Sequence, residues 1–220
     1  MLSRRLSKVA EFIDHNKVVY DVGSDHALLP CFLVMSGISP KAYAVDNKEG
    51  PINKAKENIK RFNLEGKVIP VLSNGIDDIE DDVDIITICG MGFYSVEAIL
   101  KNKDLSKYDK IIIQINKHTE LLRKWISDSM YTVLDESVVL DEGKFYEIVV
   151  FNARRTRPLD DMEIEYGPYL LNKKDETFRK YLEFREKKYL NIYEKTHTLE
   201  SREKIEEIND IIGKILEVIK

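Results

Sequence analysis

Apolar and polar positions alternate along the first 150 residues in short blocks whose period switches repeatedly. Residues 2–13, LSRRLSKVAEFI, put Leu2, Leu6, Val9 and Ile13 on one helical stripe, with Ser3 available as a cap. Five compact apolar runs follow: KVVYDVG, KAYAVD, KVIPVLSNG, VDIITICGMG and KIIIQIN. Each reads as a buried strand. Between them lie segments of helical character: HALLPCFLVMSG, GPINKAKENIKRFNL with Pro51 at its beginning, FYSVEAILKNK and HTELLRKWISDSM. Two further strands, YTVLDESVVL and KFYEIVVF, flank DEG, a hairpin signal. Strands alternating with helices predict a doubly wound, mostly parallel α/β sheet, and the hairpin adds an antiparallel terminal edge. Ligands of such sheets bind beyond the carboxyl ends of strands. That rule selects Gly23 to His26, Asp46 and Asn47, Asn74 and Gly75, Gly90 to Gly92, and Asn116.

The pattern changes after Phe151. A stretch with two prolines and a glycine, NARRTRPLDDMEIEYGPYLLNKKD, reads as a connection. Phe178, Leu182, Tyr189, Ile192 and Leu199 then fall on a 4/3 spacing interrupted by Arg185 and Thr196, and Ile205, Ile208, Ile212, Ile215 and Ile219 continue it. Two helices packed as an antiparallel coiled coil would bury both stripes, with a break in THTLES and Ser201 as the second cap. The expected division is an α/β domain at 1–153, a linker at 154–174 and a helical coiled-coil domain at 175–220.

Composition narrows the classes. The 220 residues are 43% hydrophobic, enough for a core, and no apolar run approaches the ~20 residues that span a bilayer. Two cysteines, Cys31 and Cys89, form no C-x-x-C, and no signal peptide is visible, so an intracellular, cytoplasmic protein without membrane attachment is expected. Net charge is −5, a weak argument against a nucleic-acid partner. The excess acid lies entirely in residues 1–150, however, and residues 173–188 carry seven basic against four acidic side chains. Ordinary solvated helix faces would look the same.

The turn in VVYDVGSDHALLP carries the chemistry. A dinucleotide fingerprint, G-x-G-x-x-G, brings backbone amides to a pyrophosphate. Here the three positions are Gly23, Asp25 and Ala27. A carboxylate there repels a diphosphate but tolerates a cation. S-adenosylmethionine carries a sulfonium and an ammonium group and no phosphate, and its ribose hydroxyls suit an acid ending the second strand, where Asp46 stands. Asp21 and Asp46 could also be plain turn or capping acids. Ser24, Asp25 and His26 are consecutive and point apart, which argues against a triad. His15, His118 and His197 show no ligand spacing, so no metal is expected.

LSRRLSKVAEFI, DVGSDHALLPCFLV, DIITICGMG, IIIQIN, GKFYEIVV and YGPYLL occur in this order, and together they resemble the bacterial tRNA (adenine-N1)-methyltransferases of the TrmK type, which modify adenine 22. The resemblance spans almost the whole chain. It implies a Rossmann-like class I methyltransferase domain with a C-terminal two-helix coiled coil, S-adenosylmethionine as cofactor and tRNA as partner. The implied cofactor pocket uses Arg5, Asp21, Gly23, Ser24, Asp25, His26, Asp46, Asn47, Asn74, Gly75, Gly90 and Met91. The chain departs from the family pattern at Asp46 (commonly Glu), Asn74 (commonly Asp), Phe93 (often Gly) and Ile115, where QIN replaces QPN.

Chemistry adds roles. Adenine N1 has an in-plane lone pair and no proton to lose, so it needs positioning rather than a general base. Asp25 is expected to accept from the 6-amino group and to favour the developing ring cation, or else to face the cofactor alone. Gly90, Met91 and Gly92 form the loop that lets the base approach. Phe93 or Tyr94 is either a stacking surface or a core or rim aromatic. Arg4, Arg5 and Lys8 near the pocket, with Lys173, Lys174, Arg179, Lys180, Arg185, Lys187 and Lys188 on the tail, are the expected phosphate contacts. A monomer is expected, because the helix pair closes within one chain. The competing readings are a methyltransferase for a small molecule or protein and a cofactor-binding interaction module without catalysis.

Overall fold

The computed structural model of the chain describes residues 2–80 and 82–218. It begins with helix α1 (Arg4–Ala10), whose Ser3 side chain accepts from the Leu6 amide. Strands β1 (Val19–Val22), β2 (Ala42–Asp46), β3 (Val68–Leu72), β4 (Ile85–Met91) and β5 (Lys110–Ile115) alternate with α2 (Leu28–Met35), α3 (Glu49–Arg61), α4 (Phe93–Leu100) and α5 (Thr119–Asp128). The hairpin strands β6 (Tyr131–Asp141) and β7 (Lys144–Arg155) follow. Its two-residue turn, Glu142–Gly143, has both φ angles positive, as a hairpin turn of this length requires.

The seven strands lie in the order β3-β2-β1-β4-β5-β7-β6. The first five pair in parallel, and β7 joins β5 antiparallel. Chain order reverses between β1 and β4, which opens a crevice at their carboxyl ends. Alternate residues of the buried strands feed two cores. Tyr20, Ile86, Ile88, Ile113 and Phe151 pack toward α4 and α5, while Val19, Ile85, Ile112 and Val150 pack toward α1 and α2.

The stretch 154–174, expected as a linker, is mostly ordered structure. Strand β7 runs to Arg155, past the expected boundary at 153, and helices α6 (Asp161–Tyr166) and α7 (Pro168–Lys173) follow. Asp160 and Glu163 form a reciprocal capping box. Tyr166 and Leu170 are buried. A buried ion network fixes this segment. The fully buried Arg123 guanidinium bonds Glu136 and Glu147 at 2.6 Å each, and Glu136 accepts from the Tyr169 amide at 2.9 Å. Gly167 has φ +88, and an added Cβ would run into the Glu136 carboxylate and Arg123.

Helices α8 (Glu176–Thr196) and α9 (Leu199–Val218) form the expected antiparallel pair. Only its base is a sealed core: Phe178, Leu182, Ile208, Ile211 and Ile215 pack with Val138, Tyr166 and Leu170. Ile192 and Leu199, expected on the buried stripe, are exposed, and Ile211, outside the expected stripe, is buried. The sheet edge takes up the helix bases, so burial follows the partner surface rather than the heptad. Ile219 lies outside the described residues. The α8–α9 break falls at His197 and Thr198, and Ser201 sits in the first turn of α9, its hydroxyl 2.7 Å from that of Thr198. No helix among the described residues is long and apolar enough to cross a membrane.

Candidate active site

β1 ends at Val22, and the chain turns sharply at Gly23, whose φ is +70. Its positive φ favours glycine, and a Cβ there would also displace the flexible Met91 methyl. Ser24 donates its amide to Val45 at 2.9 Å, which ties the turn to β2. A short 3-10 turn, Asp25–Ala27, follows, with His26 and Ala27 both in the left-handed region. Asn58 of α3 holds the His26 carbonyl at 2.9 Å. This unusual backbone aims Asp25 outward: its side chain is 76% exposed at the cleft, 3.0 Å from His26 Nε2.

Asp21 behaves differently. It is buried in β1 and accepts from the Thr87 hydroxyl at 2.6 Å. Burial pushes its carboxyl from an ordinary 3.8 up to about 6, against the lowering effect of the Ser24 and Thr87 hydroxyls. Asp46 closes β2, where one of its oxygens accepts from the Lys48 amide at 3.0 Å. This is an Asx turn ahead of α3 rather than a helix cap, since α3 has Lys48 at its N-cap and no side-chain cap bond, and the Asp46 side chain still lines the cleft.

The cleft has two compartments of about 480 Å³ each. Gly23, Asp46, Asn47 and Met91 line both, so Met91 and the turn form the waist between them. One compartment adds Asn74, Gly75 and Ile99; the other adds Arg5, Asp21, Ser24, Asp25 and Gly90. Eleven of the twelve residues expected at a cofactor thus line one continuous cleft. The twelfth, His26, is not among its lining residues; it contributes backbone shape and a partner for Asp25.

The loop closing β4 is held by a pair of residues that sequence reasoning noted only as a motif. Gly90 sits at a bulge with φ +78. The fully buried Gln114 accepts from the Gly90 amide at 3.0 Å and from Arg5 Nη1. Asn116 donates to the Gly90 carbonyl at 2.6 Å. Both backbone polar groups of Gly90, in successive peptides, are therefore clasped from the end of β5 and the residue after it, and Arg5 is drawn over the loop, its guanidinium 5.3 Å from the Tyr146 ring centroid. The signal available in sequence was a glutamine inside an otherwise apolar strand, since a buried amide needs partners. Phe93 is a core residue behind the loop, whereas Tyr94 is 70% exposed. The departures at Phe93 and Ile115 are both absorbed by packing in the core of the α4/α5 face.

Four carboxylates (Asp21, Asp25, Asp46 and Asp77) line the cleft beside three cations, Arg5, Lys48 and Lys103, of which Lys103 is paired with Asp77; Asp25 and Asp46 remain to meet a cationic, hydroxyl-bearing ligand. The buried hydroxyls of Ser24 and Ser73, one in each compartment, sit beside the Asp21 carboxyl and the Tyr20 hydroxyl.

The expected phosphate contacts divide. Arg4, Lys187 and Lys188 are exposed, and neither they nor Lys174 has a carboxylate partner among the described residues. Lys8 pairs with Glu11, Lys173 with Asp135, Lys180 with Glu176, and Arg179 with Glu176 and Glu183. Arg185 departs from expectation. It is largely buried, bonded to Glu165 and packed on the Tyr166 and Tyr181 rings, because α8 lies against α6 at this point.

A family model described as tRNA (adenine(22)-N(1))-methyltransferase matches residues 19–217. A Bacillus subtilis protein named tRNA (adenine(22)-N(1))-methyltransferase is 32% identical over 99% of this chain and 97% of its own length. A Streptococcus pneumoniae structure containing S-adenosyl-L-methionine superposes with a TM-score of 0.88 at 32% identity, covering 96% of this chain and 100% of that one. The TrmK of M. capricolum, solved with S-adenosyl-homocysteine, covers 100% of both chains with a TM-score of 0.82 at 32% identity. Fold, cleft and sequence agree, and the chain belongs to the TrmK family of tRNA (adenine(22)-N(1))-methyltransferases.

Proposed function

We propose that this protein methylates N1 of adenine 22 in tRNA, with S-adenosylmethionine as the methyl donor. The observation that carries the reading is the carboxylate-lined cleft whose waist, Gly23 and Met91, abuts a bulged glycine loop at the end of β4. When bound, S-adenosylmethionine supplies an electrophilic methyl group on a sulfonium. Asp21, Gly23 and Ser24 would hold its amino-acid end, Asp46 and Asn47 its ribose, and Asn74 and Gly75 its base. Asn74 stands where an acid is usual, and its amide oxygen still accepts a hydrogen bond from an adenine amino group.

The protein's own part in transfer is positioning and charge. Gly90 and Gly92 leave room for a flat base at the cleft mouth, and Gln114 and Asn116 fix the Gly90 peptide against it. Asp25 accepts from the 6-amino group of the target and stabilises the positive charge that develops on the ring. No side chain has to remove a proton from N1. The target must leave its stack to reach this mouth. Arg4, Lys174, Lys187 and Lys188 would meet phosphates around it. The chain works as a monomer, and action on tRNA is cytoplasmic chemistry, with which two free cysteines are in keeping.

Incubation of tRNA transcripts with labelled S-adenosylmethionine, followed by mass spectrometry of the nucleosides, tests the reading. One N1-methyladenosine per transcript is expected, and none once adenine 22 is replaced. Methyl groups on an exocyclic amine, or on the substituted transcript, would overturn it.

A further inference from the structure

A second groove, of about 550 Å³, lies past the carboxyl end of β5, between the start of α5 and helix α8. It meets the active site at Asn116, which lines the groove and also donates to the Gly90 carbonyl. Its floor is aromatic. Phe145 of β7 packs against Tyr181 and Phe184 of α8, with both centroid separations 5.5 Å. Phe184 is nevertheless 53% exposed, an open ring face that the fold supports from behind.

The charges of the groove are unequal in a telling way. Two of the three acids are already paired with cations, Glu147 with Arg123 and Glu165 with Arg185 and Lys204, while Glu120 at the rim has a hydrogen bond with His118. The cations Lys117 and Lys188 have no carboxylate partner among the described residues. A flat aromatic shelf with two uncommitted ammonium groups matches one ligand chemistry well, an unpaired nucleotide with its base stacked and its phosphate bridged.

We propose that this groove seats an unpaired nucleotide of the tRNA beside the target adenine, its base on Phe184 and its phosphates on Lys117 and Lys188. The inference rests on the tRNA-methylation reading above. A base drawn to the cleft mouth forces its neighbours off their own stack, and the strand can continue over Asn116 into the groove. Seating that neighbour holds the strand open, so the groove contributes to substrate capture.

The test uses the full chain and an unmodified tRNA transcript. Wild-type protein must first methylate the transcript; failure here removes the tRNA reading itself. Given that activity, Phe184→Ala should raise KM for tRNA roughly 5- to 100-fold, the loss of one stacked base, with cofactor affinity unchanged. Phe184→Trp should restore KM, and its added fluorescence should be quenched on saturation with tRNA, with the wild type's Trp125 signal as reference. A Lys117→Gln, Lys188→Gln double variant should flatten the salt slope of tRNA binding by about two. An active enzyme whose KM for tRNA stays within twofold on Phe184→Ala, or a tryptophan signal unmoved by tRNA, overturns the proposal and leaves the groove to a protein partner.

Discussion

Replacing Gln114 by leucine isolates the clasp on the β4 loop. Leucine keeps most of the volume of a side chain buried in the sheet, so the core stays filled. The variant strips an acceptor from the Gly90 amide, now bonded at 3.0 Å, and from the Arg5 guanidinium. It also removes donors to the Ile115 carbonyl at 2.9 Å and to Asn116 Oδ1 at 3.2 Å. A hydrogen bond to a charged group contributes about 1.5–3 kcal/mol, and the Gly90 amide, in an exposed residue that water can reach, adds about 0.5–1.5 kcal/mol for its own lost bond. If about 3 kcal/mol of this reaches the reacting geometry, the transfer rate falls on the order of 100-fold. Gln114→Glu keeps an acceptor for both partners and should lose no more than about tenfold. The assay is single-turnover methyl transfer to a tRNA transcript at saturating cofactor, with thermal melts to verify folding. A Gln114→Leu rate within twofold of wild type, at an unchanged melting temperature, would refute the idea that this clasp positions the loop.

Asp25→Asn keeps the shape of the turn but removes the anion, so turnover should fall about 10- to 100-fold while calorimetric cofactor affinity changes less than threefold; equal losses in both would assign Asp25 to the cofactor alone. The Asp21 carboxyl is pushed from 3.8 up to about 6 in the fold, so its stabilising contribution is full below about pH 4 and is lost as pH rises through 6. Asp21→Asn should therefore raise the melting temperature of the cofactor-free protein at pH 8, by up to roughly 3 kcal/mol of stability, and leave it little changed at pH 4; melts across that range that are parallel for the two proteins would contradict the burial argument. Arg123→Met leaves Glu136 and Glu147 buried without their cation, and should cost about 3–5 kcal/mol. In a chain of this size that is on the order of 10 °C in differential scanning calorimetry, and a shift below 2 °C would show the network to be dispensable.

Much of the architecture follows from local pattern. The five short apolar blocks, the intervening amphipathic segments and the DEG turn specify seven strands in the right places, because strand burial and turn chemistry are written in adjacent residues. The single glycine and misplaced carboxylate of DVGSDHA likewise select a cationic cofactor on charge alone. Local pattern fails where burial depends on distant partners. Ile192 and Leu199 keep the heptad spacing and stay exposed, since the sheet edge reaches only the base of the helix pair. The proline-containing stretch after Phe151 looks like a linker, yet Arg123, 40 residues upstream of Glu163, organises it from within α5. Arg185 reads as a surface cation and folds inward onto Glu165. Gln114 and Asn116 become meaningful only when β5 lies beside the bulge at Gly90. Sequence by itself determined the seven strands, the glycine–carboxylate turn after β1 and the family. Tertiary structure alone decided the helices of the expected linker, which cations pair and how the β4 loop is held, because these depend on which charges and amides meet across the sheet.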